Sequence, residues 1–328
     1  MLGHEGLAEI VEVGSEVTDF KPGELAAVSA VMPDKDGGTG HEGVPFTGTK
    51  LGRNINGMWA DYFLVPDADR NLSHIPQGVS MEAALMCTDM FATGFTAAEG
   101  ASIGSGKTVT VLGTGAVGLM AILSARLLHA QTIIAIGSER RTECTALAAE
   151  YGADLVLSYR DGRVLFARDT SFLETDGKKL SAYRAKRSPL ANATNSEAVA
   201  GILDRTRNAG TDAVLVCGGG PKALVQACDL ARYGTGIVSN VEYIEGAGEI
   251  GLPIFSLGRG MAGKTFRFLL SRGGRSFTER MLSYAAARKE DPGKLVTHHL
   301  QGFSSIPDAL RMMKEKPDGL IKIMVEIK

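Results

Sequence analysis

The sequence has few cysteines and no long apolar run, and these absences narrow the class of protein. Its 4 cysteines form no C-x-x-C cluster, which excludes a disulfide framework and a four-cysteine structural zinc site. No stretch of about 18 apolar residues occurs, so we expect no membrane span. The formal net charge of −2 argues against nucleic acid as the main partner. The first residues carry Glu5 and Glu9 but no basic segment, so we expect no signal peptide and a cytoplasmic location.

The composition is that of a globular protein with room for two domains. The 328 residues are 44% hydrophobic and 22% charged, and a domain usually has roughly 150 residues. Glycine is frequent, with 41 copies. This frequency suits a fold with many tight turns between strands and helices.

The hydrophobic pattern divides the chain into three parts. Residues 7–14 and 58–65 alternate apolar and polar side chains, which is the period of half-buried strands, and residues 32–57 are predicted to form a loop. From about residue 107, short apolar runs alternate with helical spacing, which predicts a parallel sheet with helices on both faces. After about residue 271 this regular alternation ends. The predicted helices lie at about 116–130, 142–150, 196–208, 221–232, 277–288 and 305–314.

Residues 161–195 interrupt the α/β pattern. They combine many basic side chains, among them Arg163 and Arg168, with several acidic ones and show no clear period. We expect a solvated surface insertion, since long loops usually lie outside the core. The alternative is a basic lid near a phosphate.

A glycine motif stands between a predicted strand and a predicted helix. The stretch VTVLGTGAVGLM contains Gly113, Gly115 and Gly118 in the spacing G-x-G-x-x-G. The first glycine permits the tight turn, the second lets the backbone approach a pyrophosphate, and the third lets helix and strand pack closely. The motif predicts a dinucleotide site. The alternative is a glycine turn in another α/β fold, such as a methyltransferase.

The end of the next strand indicates which dinucleotide binds. An NAD site normally has an acidic residue there to bind the ribose, but IIAIGSERR has Gly137 and Ser138 at that position. The absence of the acid leaves room for a 2′-phosphate, which Arg140 or Arg141 can pair with. The pattern therefore favours NADP, although Glu139 would repel the phosphate if it pointed inward.

Metal-type residues occur at the start of the chain and before the nucleotide motif. His4 and Glu5 are adjacent, so on a strand they would point to opposite faces, and at most one would bind a metal unless the backbone turns. Asp89 and Cys87 are further candidates, and His41 lies in a second Gly-His-Glu-Gly stretch. A catalytic zinc needs three protein ligands and an open position. The alternative for an isolated Gly-His-Glu is an ordinary polar turn.

Taken in order, several blocks of this sequence resemble the zinc-dependent medium-chain alcohol dehydrogenases. The blocks are LGHEGLAEIVEVGSEVTDFKPGE, PDADRNLSHIP, MCTDMFATGF, VTVLGTGAVGLMA, IIAIGS and KLVTHHLQGF followed by KPDGLIK. The chain is most similar to the branch of NADP-dependent secondary-alcohol (isopropanol) dehydrogenases. The resemblance implies an α/β fold. A GroES-like β-rich catalytic domain, incomplete at its N-terminus, would form from residues 1–92 and 271–328, and a Rossmann domain with a doubly wound parallel sheet from residues 93–270.

The resemblance also implies roles for individual residues. It places the catalytic zinc on His4, Glu5 and Asp89, with Thr93 near the nicotinamide. It places the 2′-phosphate of NADP on the residues at the ends of two strands, namely Gly137, Ser138, Arg140 or Arg141, and Tyr159. The implied substrate is a small alcohol or ketone, and the implied assembly is a homotetramer.

The chain departs from the family pattern in two ways. The family's remaining zinc ligand, a cysteine, would fall before residue 1, so we expect the chain to begin at a normally internal Met and to lack one ligand. A tryptophan of the family's substrate pocket corresponds to Thr49. Two alternatives to an active zinc enzyme stay open: a zinc-free quinone-type reductase of the same superfamily, and a nucleotide-binding remnant without activity.

Overall fold

The computed structural model describes residues 2–36, 55–173, 196–244, 249–252, 260–287 and 290–327. His41 and Thr49 lie outside the described residues, as do residues 174–195 of the predicted insertion. None of the helices in the described ranges is both long and apolar enough to cross a membrane.

The chain divides into two compact units. The first unit combines Met1–Thr93 with Leu270–Lys328, and the second unit is Gly94–Leu269. The strands are β1 (Gly6–Glu9), β2 (Leu25–Val28), β3 (Leu72–His74), β4 (Thr108–Leu112), β5 (Thr132–Gly137), β6 (Leu155–Ser158), β7 (Val164–Ala167), β8 (Ala213–Val216), β9 (Ile237–Asn240), β10 (Thr265–Phe268), β11 (Val296–Gln301) and β12 (Lys322–Glu326). The helices are α1 (Ala68–Asn71), α2 (Met81–Thr88), α3 (Met90–Gly100), α4 (Ala116–Leu127), α5 (Thr142–Glu150), α6 (Glu197–Arg205), α7 (Pro221–Leu230), α8 (Arg275–Ala287) and α9 (Ile306–Glu315).

The second unit is built on a seven-stranded sheet in the order β10-β9-β8-β4-β5-β6-β7. Each neighbouring pair is parallel except β6 and β7. Strands β4 and β5 are buried along almost their whole length, as expected for strands covered on both faces by helices. The predicted α/β fold is confirmed, and the six helices predicted from periodicity are present to within a few residues at each end.

The start of the predicted insertion belongs to this sheet. The expectation that all of residues 161–195 lie in a solvated insertion is wrong for β7, which pairs antiparallel with β6. Arg168 follows β7, and its guanidinium donates to the buried carboxylate of Asp154 at 2.8 Å. Arg126 of α4 donates to the other oxygen of the same carboxylate, also at 2.8 Å. Asp154 therefore forms an ion pair with each of the two arginines. Sequence periodicity alone does not reveal these contacts.

The first unit contains an antiparallel sheet in the order β1-β2-β3 and a parallel pair, β11 and β12. A cluster of buried apolar side chains lies behind the antiparallel sheet: Ile10, Phe20, Ala26, Val28, Met32, Met58 and Leu72. Helix α2 begins after Ser80, whose hydroxyl accepts from the backbone N–H of Ala83 at 3.1 Å. This N-cap fixes the start of the helix that leads to Asp89.

Residues 58–65 were predicted to form a strand, and this prediction is wrong. The backbone N–H groups of Met58 and Trp59 donate to Gly3 and Leu2, each at 3.0 Å, but the chain then passes through bends. Tyr62 and Leu64 point into solvent. The alternation of apolar and polar residues therefore reflects the burial of the Met58 side chain. The backbone hydrogen bonds that a strand needs do not continue along the segment.

Candidate metal centre and cofactor site

Three potential metal ligands converge in the first unit. His4 and Glu5 lie just before β1, and Asp89 lies between α2 and α3. The Nε2 atom of His4 is 3.2 Å from Oδ2 of Asp89. One ligand atom from each of the three residues falls within 4.8 Å of the others, and within the described ranges no other group of three His, Cys, Asp or Glu side chains does so.

Adjacent residues His4 and Glu5 both reach the cluster because the backbone before them is not a regular strand. Gly3 has φ +95°, in the region that favours glycine. A Cβ atom at this position would also collide with the indole ring of Trp59. The turn at Gly3 therefore allows the neighbouring side chains of His4 and Glu5 to bind the same metal ion.

The carboxylate of Glu5 is the feature of the cluster that best indicates a cation-binding site. Its Oε1 atom accepts from Nζ of Lys322 at 2.7 Å. Its Oε2 atom is buried and has no hydrogen-bond partner within the described residues. A buried carboxylate oxygen without a partner is costly, and one imidazole nitrogen with two carboxylate oxygens is a donor set that zinc accepts. The residues present therefore fit a zinc ion.

Two hydroxyl groups, from Thr93 and Ser271, position Asp89, the third candidate ligand. Thr93, one helical turn after Asp89, donates from Oγ1 to Oδ1 of Asp89 at 2.6 Å. The Ser271 hydroxyl lies 2.9 Å from the same Thr93 oxygen. These contacts orient the carboxylate of Asp89 so that its other oxygen faces His4.

The pKa values of His4, Asp89 and Lys322 are shifted by the neighbouring polar and charged groups of the cluster. The hydrogen bond to Asp89 raises the pKa of His4 against the opposing effect of burial. Burial favours a higher pKa for Asp89, but hydrogen bonds from His4 and Thr93 and the charge of Lys322 hold this pKa below its usual value. Burial also works against the charge of Lys322, but attraction to Glu5 and Asp89 raises its pKa. These shifts favour the ionised form of the Asp89 carboxyl group and the protonated form of Lys322.

Sequence reasoning did not find Lys322 or Ser271, and it offered Cys87 as an alternative ligand. Lys322 is separated from Glu5 by 317 positions, and only the fold brings them together. Cys87 is buried inside α2 and is not among the converging ligand atoms. Burial raises the pKa of its thiol, which further disfavours the thiolate form that a metal needs.

The glycine motif of the second unit forms the turn between β4 and α4. Gly113 has φ +94°. A Cβ atom on Gly118 would collide with the carbonyl oxygen of Gly113, whereas one on Gly115 would meet open space. Gly115 is the N-cap residue of α4, and no side chain of the described residues caps this helix end. The turn therefore presents the first backbone N–H groups of α4 in a shape that fits a pyrophosphate.

The residues predicted to bind a 2′-phosphate lie at the ends of β5 and β6. Gly137 ends β5, and a Cβ atom there would collide with the Thr114 side chain. The backbone N–H of Tyr159 donates to the Gly137 carbonyl at 2.9 Å, and that of Arg140 donates to Oγ of Ser138 at 3.3 Å. The structure thus brings these residues together around the two strand ends.

The neighbouring charges distinguish the two candidate arginines. Glu139 accepts from Ser158 at 3.2 Å and pairs with Arg160 at 3.1 Å, so its carboxylate is already engaged. Arg141 pairs with Glu143. Arg140 is exposed, and within the described part of the chain no hydrogen bond or ion pair engages its guanidinium. Arg160 is a further cation at this edge that sequence reasoning did not identify.

Comparison with known proteins shows which family this chain is similar to. The alcohol dehydrogenase GroES-like domain family matches residues 1–77. The chain is 39% identical to the NADP-dependent isopropanol dehydrogenase of Thermoanaerobacter brockii, over 99% of this chain and 84% of that protein. It is 34% identical to the NADP-dependent isopropanol dehydrogenase of Entamoeba histolytica, over 100% of this chain and 81% of that protein.

Solved structures show the same fold. Alcohol dehydrogenase TADH from Thermus sp. ATN1 superposes with a TM-score of 0.73 at 23% identity, covering 100% of this chain and 84% of that one. The apo form of zinc dependent alcohol dehydrogenase 2 from Streptococcus pneumonia gives a TM-score of 0.74 at 23% identity, covering 100% and 83%. On the strength of these sequence relationships, the chain belongs to the zinc-dependent medium-chain alcohol dehydrogenase family, in the branch of the NADP-dependent isopropanol dehydrogenases.

Proposed function

We propose that this alcohol dehydrogenase interconverts a small secondary or primary alcohol and its ketone or aldehyde with NADP and zinc. The observation that carries the zinc part is the buried Oε2 atom of Glu5 beside His4 and Asp89, which has no hydrogen-bond partner among the residues that the structure describes. A zinc-free reductase of the same superfamily would have no use for this arrangement. When bound, zinc supplies Lewis-acid polarisation of the alcohol oxygen, and NADP accepts the hydride.

The chain's own residues divide the work between the two units. In the first unit, His4, Glu5 and Asp89 would hold the metal, and Thr93 keeps Asp89 in place. In the second unit, the turn of Gly113, Gly115 and Gly118 would hold the pyrophosphate at the start of α4. We therefore propose that the first unit is the catalytic domain and the second unit is the cofactor domain. We also propose a homotetramer, from the family resemblance.

The direct test is turnover of 2-propanol and 2-butanol by the full chain, with zinc content measured on the same sample. We expect one zinc per chain and faster turnover with NADP than with NAD. A zinc-free preparation that reduces quinones would contradict the proposal, and so would tighter binding of NADH than of NADPH.

The two neighbouring arginines offer a matched test of cofactor choice. We expect Arg140→Ala to weaken NADPH binding about tenfold or more, because a charge-assisted hydrogen bond is worth about 1.5–3 kcal/mol. Arg141→Ala should leave NADPH binding nearly unchanged, because its guanidinium is paired with Glu143. Binding is measured by NADPH fluorescence, with NADH as the reference that lacks the 2′-phosphate. Equal losses for the two variants, or an equal loss of NADH binding, would contradict the assignment of Arg140.

A further inference from the structure

Lys322 and Glu5 form an ion pair directly beside the candidate metal cluster. Lys322 begins β12, and its side chain is only 18% exposed. It faces an acidic group that belongs to the candidate metal cluster, and it occupies one of the two oxygens of that group. A buried cation next to a cation site repels the metal, so its presence there needs a reason.

We propose that Lys322 is a positioning residue that limits Glu5 to a single oxygen for the metal. This inference rests on the proposed function, because it concerns the same zinc site. Lys322 holds Oε1 of Glu5 at 2.7 Å, and in the described part of the chain Oε2 has no hydrogen-bond partner. Together with His4 and Asp89, a single oxygen from Glu5 gives three protein ligand atoms. A catalytic zinc with three protein ligand atoms keeps a position open for substrate.

Removal of the Lys322 charge should therefore tighten zinc binding and impair the site. Without Lys322, both oxygens of Glu5 become available to the metal, and the repulsion between the two cations disappears. The carboxylate of Glu5 would also be left buried without a counter-charge in the metal-free protein. All three effects favour the zinc-bound state. We therefore expect a variant without the Lys322 charge to bind zinc more tightly, although it has lost a side chain close to the site.

The test compares Lys322→Met and Lys322→Arg with the wild-type chain. We expect Lys322→Met to bind zinc at least about tenfold more tightly, in competition with a chromophoric chelator. Its cobalt-substituted form should show weaker visible absorption, since added ligand atoms move cobalt away from tetrahedral geometry. Lys322→Arg should restore wild-type zinc affinity and the wild-type cobalt spectrum. If Lys322→Met does not fold, as judged by circular dichroism, Lys322→Gln is used with the same expected result.

A double-mutant cycle separates positioning from simple charge repulsion. In a Glu5→Gln background, Lys322→Met should lose most of its gain in zinc affinity, because no second carboxylate oxygen can be released. An equal gain in that background would overturn the proposal, since Lys322 would then act by its charge alone. Arg275→Met removes a cation paired with Glu279 and Asp19 in the same unit, and it should leave zinc affinity unchanged.

The outcomes also distinguish this inference from the function on which it rests. If the wild-type chain binds neither zinc nor cobalt, the proposed function and this inference both fail. If the wild-type chain binds zinc but Lys322→Met binds it equally or more weakly, this inference alone fails.

Discussion

Asp89→Asn should weaken zinc binding at least about 100-fold and reduce alcohol oxidation to a similar extent. The substitution keeps the shape of the side chain, but it replaces the carboxylate facing His4 with an amide. Changes to groups that only support a metal ligand typically cost 10–100-fold, so loss of a ligand itself should cost no less. The measurement is zinc content by atomic absorption after dialysis, with turnover of 2-propanol and NADP on the same sample.

A second carboxylate–histidine pair in the same unit supplies the control. Glu82 lies 3.0 Å from Nε2 of His299 on β11, but no third metal ligand joins this pair within the described residues. Glu82→Gln should therefore leave zinc content and turnover unchanged. Retention of zinc by Asp89→Asn would remove Asp89 from the ligand set, and equal losses in both variants would point to a general loss of folding.

Gly118→Ala should weaken NADPH binding about fivefold to 150-fold and lower the melting temperature of the protein. The added methyl group would collide with the backbone carbonyl of Gly113, which cannot rotate away as a side chain could. Overpacking of this kind costs about 1–3 kcal/mol, which corresponds to a loss of about fivefold to 150-fold in NADPH affinity if the cost falls on the conformation of the turn that binds the cofactor. NADPH fluorescence and differential scanning calorimetry measure the two effects.

Two other glycines separate binding from folding. Gly115→Ala places its methyl group in open space, so the melting temperature should stay the same, while NADPH binding weakens because the pyrophosphate can no longer approach the backbone. Gly104→Ala, also in open space but in a loop before β4, should change neither quantity. Normal NADPH binding by Gly118→Ala would show that the turn does not hold the cofactor.

The parts of the fold that follow from local rules could be predicted from the sequence. The strand, glycine turn and helix around Gly113 depend on residues close in sequence. Backbone geometry requires glycine at Gly113 and Gly118, and the motif spacing already implies both positions. The helices of the second unit likewise follow from the spacing of their apolar side chains. These elements needed no knowledge of distant contacts.

The remaining features depend on contacts that no local pattern encodes. Lys322 reads as an ordinary polar position in a strand until the fold places it against Glu5. Arg168 reads as part of a charged insertion until its contact with Asp154 shows that β7 joins the sheet. Periodicity suggested a strand at 58–65, but whether a ladder continues depends on the partner backbone, which the alternating pattern does not describe.

The contact between Trp59 and Gly3 gives the first unit an optical probe of its own. Trp59 is the single tryptophan of the chain, and its indole lies against the residue that precedes His4. Emission excited at the red edge of the indole band therefore originates in the first unit alone. Because Gly3 adjoins the candidate ligand His4, we expect the emission of Trp59 to respond to metal loading in the unlabelled protein.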